Sequence, residues 1–507
     1  MIKSLPGDAY LGLDIGTQGV RAVVCAVSDD AAPRSAILAR AARPFPPGTT
    51  VTDLPPGHAE QNPAGWWVAA VACLRQVAAQ TPPDAIRALS VTSTSGTLCL
   101  LDDAGDPLIP ALMYNDARAG QEAAEVQAAG AELAGRLGYR FNASFALAKL
   151  AWLARHRPDV LARARYVAHA ADYITGRLSG RYDVTDYSNA LKTGYDLAPA
   201  AGDRPEGCWP DFIADRLGLP VDKLPRVVAP GAVIGEVTPA AAETTGLRAG
   251  TRVVAGMTDG CAAQIASGAV NPGDWNSTLG TTLVLKGVTA QLIRDPQGRI
   301  YSHRHPDGYW LPGGASNVGG EILATRFPGA DLASLDARAI DLSPTDLIAY
   351  PLARRGERFP FVDADAEGFL IPFGVGAGQD AADRETLYAA YLEGVAYVER
   401  LAYDTLSSLG AAGGGAIRVA GGAAASDVWL QIRADVLGRE LVRPAETGAA
   451  MGAAILAASR TRFDGVAAAA REMVRIERVV TPRTGLTASY DERYRRFCAA
   501  CVERGYI

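Results

Sequence analysis

The chain has 507 residues, 49% apolar and 21% charged, with a formal net charge of -6. That length exceeds one ordinary domain of roughly 150 residues, so more than one domain with its own core is expected. The acidic balance supplies no basic field for nucleic acid or anionic lipid, and seven cysteines scattered through so long a chain do not make a secreted disulfide framework.

The start, MIKSLPGDAYLGLDIG, lacks the basic region and long apolar core of a signal peptide, and no stretch approaches membrane-spanning length. A cytoplasmic chain without a membrane partner is expected. YLGLDIGTQGVRAVVCAV, from residue 10 to 27, then reads as two strands joined by a glycine turn. Backbone N–H groups at such a turn suit a polyphosphate, and Thr17 and Gln18 add donors without bulk. Asp14 would repel phosphate directly, so its place there suits Mg2+ held through water. An ordinary hairpin whose Asp caps the turn describes the same residues equally well.

A helix is expected at PAGWWVAAVACLRQVAAQ, where Trp66 and Trp67 either anchor it in a core or stack on a sugar face. SVTSTSGTLCLLD (90–102) reads as strand, polar turn, strand, and ALMYNDARA supplies Asn115, Asp116 and Arg118. Planar acceptors, donors and small hydroxyls of this kind bind polyols. Residues 119–180 are mainly helical in pattern, a Pro/Gly-punctuated region near 220–250 returns to strands, and a domain boundary is placed near residue 247.

Beyond it, GMTDG puts Asp259 in a turn before the helix GCAAQIASG. DWNSTLGTTLVLKG (274–287) repeats strand, small-residue turn and strand, with Gly280-Thr281 echoing Gly16-Thr17. His303 and His305 fall on one side of a strand with no carboxylate pattern nearby, so a surface or packing role is expected there rather than a metal. IRVAGGAAASDVWLQIRADVLGREL reads as a strand, a turn at Gly421-Gly422 and a helix started by Ser426. ETGAAMGAAILAA is a helix so rich in Ala and Gly that it admits either a neighbouring helix or a flat ring. The lone CxxC of the tail, Cys498 and Cys501, points to helix packing.

In their order these pieces resemble the FGGY family of carbohydrate kinases, within the actin/Hsp70-like ATPase superfamily, from about residue 10 to 460. GLDIGTQGVRA resembles its first phosphate motif, GMTDGCAAQIASG its catalytic motif, STLGTT its second phosphate motif, and VAGGAAASDVWLQIRADVLG with ETGAAMGAA its adenosine motif. KLAWLAR (149–155) resembles a family signature, with Ala146 where Pro, Ser or Thr is usual. The resemblance implies an α/β fold of two actin-like (ribonuclease H-like) domains with an inter-domain active-site cleft. Residues 1–247 would carry the sugar site and first hairpin, 248–480 the catalytic base and ATP site, and 481–507 a helical tail.

It further implies Asp259 as the base, accepting the proton of a sugar hydroxyl as the γ-phosphoryl group moves. ATP and Mg2+ are the implied cofactors, with Asp14 at the metal. Gly16, Thr17, Gln18, Arg21, Gly280, Thr281 and Thr282 are assigned to phosphates, and Gly421, Gly422 and Ser426 to adenosine, where Ala423 replaces a frequent third glycine. Ser95, Gly96, Thr97, Asn115, Asp116 and Asp259 are assigned to the sugar. Residues 94–97 depart from the Gly-Gln-Met-His run usual in xylulokinases and resemble a Thr-Ser loop of ribulose kinases, whereas LSGRYDVTDYSNALKTGYD looks xylulokinase-like. The expected activity is phosphorylation of the 5-hydroxyl of a ketopentose, D-xylulose, by ATP. D-ribulose, another ketose or polyol, or a sugar sensor or chaperone without transfer are the alternatives. The tail helix with Tyr490 and Tyr494 is read as packing, with a subunit contact as the alternative, and a homodimer is the oligomer considered. GxxxxGK[ST], HExxH and GxSxG are missing, and no GxGxxG follows a strand.

Overall fold

The first hairpin forms as its sequence predicts. In the computed structural model, β1 (Asp8–Ile15) and β2 (Gly19–Val27) pair antiparallel, with Asp14 opposite Arg21 and Ile15 opposite Val20. Nearly every residue of both strands is buried, as their continuous apolar runs require of a sheet covered on both faces. The structure describes residues 7–28, 34–82, 84–198, 208–373, 383–411 and 413–507. They form two units: Met1–Val270 with His303–Gly308 and Glu446–Arg475, and Asn271–Ser302 with Tyr309–Ala445 and Ile476–Ile507.

In the first unit, β3 (Ser35–Pro44), β4 (Ile86–Ser93), β5 (Val233–Glu236) and β6 (Arg252–Val254) complete a six-stranded sheet of order β5-β6-β4-β1-β2-β3. β1, β4 and β6 run parallel, while β2 and β5 are antiparallel to their neighbours. Helix α1 (Pro63–Ala79), capped by Asn62, packs on β2 and β3 and buries Trp66. Helices α2 (Ala146–His156), α3 (Ala170–Ser179) and α4 (Asp259–Ala266) belong to the same unit.

The alanine-rich helix Ala449–Ser459 packs against β1, β4 and α4. Its small residues serve helix and strand packing. A Cβ on Gly12 of β1 would stand 1.8 Å from Ala450 O, and one on Gly452 would stand 1.9 Å from Ala262 O. No side chain fits either place.

The units part at Val270/Asn271 instead of near 247. Residues just past 247 are held back by long-range pairing: β6 lies beside β4, α4 lies against the alanine-rich helix, and Asp259 therefore belongs to the first unit.

The second sheet, which belongs to the second unit except for His303 and Arg304 at the end of β9, is formed by β7 (Trp275–Leu279), β8 (Leu283–Gly287), β9 (Ile300–Arg304), β10 (Trp310–Ser316), β11 (Ile417–Ala420), β12 (Leu441–Pro444) and β13 (Ile476–Val480) in the order β9-β10-β8-β7-β11-β12-β13. β7 pairs antiparallel with β8 and parallel with β11, β12 is parallel to β11, and β13 is antiparallel to β12. That sequence of senses repeats the first sheet from β2 through β5. The duplication suggested by two glycine turns is therefore a duplication of whole sheets.

Helices α5 (Arg384–Ser408), α6 (Asp427–Leu437) and α7 (Thr487–Glu503) cover the second sheet's core. Tyr490 and Tyr494 of the tail are buried in that core, where Tyr350 stacks on Phe497 at 5.7 Å, so residues 481–507 are part of the unit and not an appendage. Cys501 is buried and Cys498 half-buried, both as free thiols.

Candidate active site

Parallel strands deliver their loops to one end of a sheet, and ligands of α/β folds bind beyond those carboxyl ends. At that end of the first unit, Asp14 pairs in register with Thr92 of β4, and Ser93 bridges to Thr258. Three neighbouring strands thus place Asp14, the loop after Ser93 and Asp259 side by side. Thr92 Oγ1 donates to Met257 O at 2.6 Å, and Thr258 N donates to Ser188 Oγ at 2.8 Å. These bonds hold the turn into α4, whose first residue is Asp259. Asp259 Oδ1 accepts from Gly260 N at 2.6 Å, as an acid suits a helix N-terminus.

Asp14 is buried, its Oδ2 lies 3.8 Å from Arg21 Nη1, and its Oδ1 has no hydrogen-bond partner. Burial, then the charge of Asp259, push its pKa up to about 7 against the pull of Arg21. A buried carboxyl so placed calls for a proton or a cation. A cavity of about 530 Å³ opens here, lined by Asp14, Gly16, Thr17, Gln18, Arg21 and Asp259 among others. Among the described residues, no group of three or more His, Cys, Asp or Glu side chains is placed to hold a metal ion.

The hairpin turn is tied from behind: Gly16 N donates to Gly19 O at 3.0 Å, Phe45 N to Gln18 O at 3.0 Å, and Gln61 Nε2 to Thr17 O at 2.9 Å. The side chains of Thr17, Gln18 and Arg21 remain exposed. Neither Gly16 nor Gly19 takes a positive φ. Gly19 is demanded by crowding, since a Cβ there would stand 2.3 Å from Arg43 O.

After β4, Thr94 and Thr97 share a hydroxyl–hydroxyl bond of 2.9 Å. His169, wholly buried, places Nδ1 3.2 Å from Thr97 O and Nε2 3.1 Å from Thr193 Oγ1, and burial drives its pKa down to about 4. Gly96 has φ +86°, and a Cβ there would stand 2.6 Å from Ser144 O. Ser95 Oγ is buried without a partner. Asp116 behaves otherwise. Its two oxygens accept from Ala59 N at 2.7 Å, from Arg118 N, and from Arg118 Nε and Nη2, and these bonds hold its pKa below the usual range in spite of burial. Its oxygens are occupied within the protein, and Asn115 beside it is exposed.

In the second unit the turn Gly280-Thr281-Thr282 is backed by Gly319 and Gly320. Gly320 N donates to Gly280 O at 2.7 Å, and a Cβ on Gly319 would stand 2.4 Å from Thr281 O. That glycine pair escaped the sequence reading, although a GG doublet just after a strand is its signal. Gly421, with φ +88°, lies so close to Leu279 that a Cβ would stand 2.4 Å from its carbonyl oxygen. The turns after β7 and β11 are therefore neighbours. Gly422 is exposed there, but Ser426 is engaged: its Oγ accepts from Trp429 N at 3.0 Å and donates to Asp336 Oδ2 at 2.6 Å. Trp66 Nε1 donates to Gln61 Oε1 at 2.8 Å in the core, which settles its place as packing. His303 and His305 are likewise buried.

The model of the N-terminal domain of the FGGY family of carbohydrate kinases matches residues 9–266, and that of its C-terminal domain matches 275–460. A xylulose kinase of Streptomyces rubiginosus is 31% identical over 93% of this chain and 92% of its own length. A gluconokinase of Bacillus subtilis is 26% identical over 88% and 86%. The solved structure of xylulose kinase from Rhodospirillum rubrum superposes with a TM-score of 0.82 at 30% identity, covering 98% of both chains.

Proposed function

Because the chain belongs to the FGGY family of carbohydrate kinases, we propose that it transfers the γ-phosphoryl group of ATP to the 5-hydroxyl of a ketopentose, D-xylulose. The observation that carries this reading is the row of Asp14, the Ser95 loop and Asp259 across three strand ends of one sheet. An alcohol is a weak nucleophile, and Asp259 is the carboxylate assigned to accept its proton. The unpaired hydroxyl of Ser95 is the group offered to the sugar, while Asp116 arranges its loop through Arg118. Phosphate contacts are assigned to Thr17, Gln18 and Arg21 in one unit and to Gly280, Thr281 and Thr282 in the other, with adenosine at Gly421 and Gly422. The free, buried oxygen of Asp14 beside a second acid fits Mg2+, which binds through one or two carboxylates and keeps part of its water shell. Bound with ATP, the ion supplies neutralisation of phosphate charge.

The xylulose kinases among its relatives support D-xylulose, and the Ser95-Gly96 loop favours D-ribulose as a second reading. A coupled ATP-consumption assay over D-xylulose, D-ribulose, D-gluconate and glycerol separates them. The highest kcat/KM is expected on D-xylulose. Turnover confined to D-gluconate or glycerol overturns the ketopentose, and the lack of any sugar-dependent ADP release overturns the transfer itself.

A further inference from the structure

The signature KLAWLAR begins with a lysine to which the reaction above gives no task. Lys149 lies in the first turns of α2 with its side chain wholly buried. Its Nζ donates to Gly96 O at 2.9 Å and to Ser144 O at 3.2 Å. Both acceptors are main-chain carbonyls. An ammonium taken out of water is costly unless it is well paired, and an apolar side chain of the same length would fill the space without that cost. Burial indeed drives the Lys149 pKa down to about 7, with Asp116 opposing the fall and Lys192 and Arg118 adding to it. Packing alone does not account for a cation here.

What the cation does is local. The Gly96 backbone passes so close to Ser144 that no Cβ fits between them. Two carbonyl oxygens converge on one point, and a donor between them removes their repulsion. Gly96, in the left-handed region, could otherwise turn its peptide plane freely. One residue earlier stands Ser95, whose buried hydroxyl has no partner. On the other side of Gly96, Thr97 is held by His169 and Thr94.

We propose that Lys149 is a positioning residue for the sugar, fixing the Gly96 peptide so that the Ser95 hydroxyl faces the substrate. This rests on the assignment of the Ser95 loop to the sugar. Losing the clasp leaves the ATP side untouched and weakens sugar binding.

Steady-state kinetics, sugar-binding calorimetry and thermal melts on the full chain test it, comparing the unaltered protein with Lys149→Met and Lys149→Arg. For Lys149→Met the sugar KM is expected to rise at least tenfold, with the ATP KM within twofold, kcat within about threefold, and a melting temperature equal to or above that of the unaltered protein. Lys149→Arg, which keeps the charge and donors, is expected to recover part of the lost sugar affinity. Should Lys149→Met fail to fold, Lys149→Gln is measured in its place, with a smaller rise expected. A sugar KM within twofold of the unaltered enzyme in the variant measured, or sugar and ATP KM rising together, overturns the proposal while leaving the kinase reading standing. An unaltered protein that neither binds nor turns over any sugar of the panel overturns both.

Discussion

Asp14, Asp116 and Asp259 have one side chain and three fates, and the difference lies in who occupies their oxygens. Asp116 is filled by Arg118 and a backbone N–H. Asp14 keeps a bare buried oxygen, and Asp259 takes its neighbouring amide and opens a helix. In sequence, Asn-Asp-Ala-Arg and Thr-Asp-Gly look equally suited to a ligand, because nothing local shows that Arg118 folds back on the acid two residues before it. The base assignment has a direct check. Asp259→Asn is expected to lower kcat by about 10²- to 10⁴-fold, the usual contribution of a positioned base, with sugar affinity by calorimetry within a few-fold of the unaltered protein. Near-normal turnover would move the base elsewhere.

At the scale of elements, the strand–turn–strand units were legible because an apolar run broken by small residues has few other ways to fold. The alanine-rich helix was less so: its composition announces close approach, but only the sheet shows that β1 and α4 are what approach it. Helix α3 carries a pH-dependent device at its start. His169 N donates to Asp172 Oδ2 at 2.8 Å, and its neutral ring joins Thr97 to Thr193. Its folded pKa, about 4, lies below the ordinary 6.5. The unfolded chain therefore takes up the proton first, so this contribution to stability is full above pH 6.5 and is lost as the pH falls toward 4. The loss amounts to about 3 kcal/mol at most. Urea titrations between pH 4 and 7.5 should show His169→Gln with a flatter pH dependence than the unaltered chain, and parallel curves would deny His169 this role.

Among the described residues each unit has a large hydrophobic core of its own, and a small cluster of Ala119, Ala123 and Ala148 lies apart in the first unit. Calorimetry is therefore expected to resolve two unfolding transitions, each answering to its own variant. In the second unit, Arg433 and Glu399 are both fully buried and paired at 2.8 Å, with Ser277 taking another guanidinium donor at 2.9 Å. Arg433→Met strands Glu399 and should lower that unit's transition by about 3–5 kcal/mol. Gly452→Ala drives a methyl group into Ala262 O and should cost the first unit at least about 2 kcal/mol, or several degrees. A single transition that both variants shift would mean that the units unfold as one. The boundary near 247 was misjudged at this scale, since a Pro/Gly-rich stretch reads as a linker although β6 beyond it is an inner strand.

The sequence by itself determined both glycine hairpins, the acids at the strand ends, the chain order of the motifs and, through that order, the kinase family. These are features of short range or of succession, and a linear chain displays both. Only the tertiary structure decided that Asp259 belongs with Asp14's unit, that Asp116 is spent on Arg118, that the tail tyrosines are core, and that Lys149 reaches Gly96. Each of those depends on which distant group fills a polar atom's last bonding position or an apolar face's last gap, and that is settled when the sheet assembles.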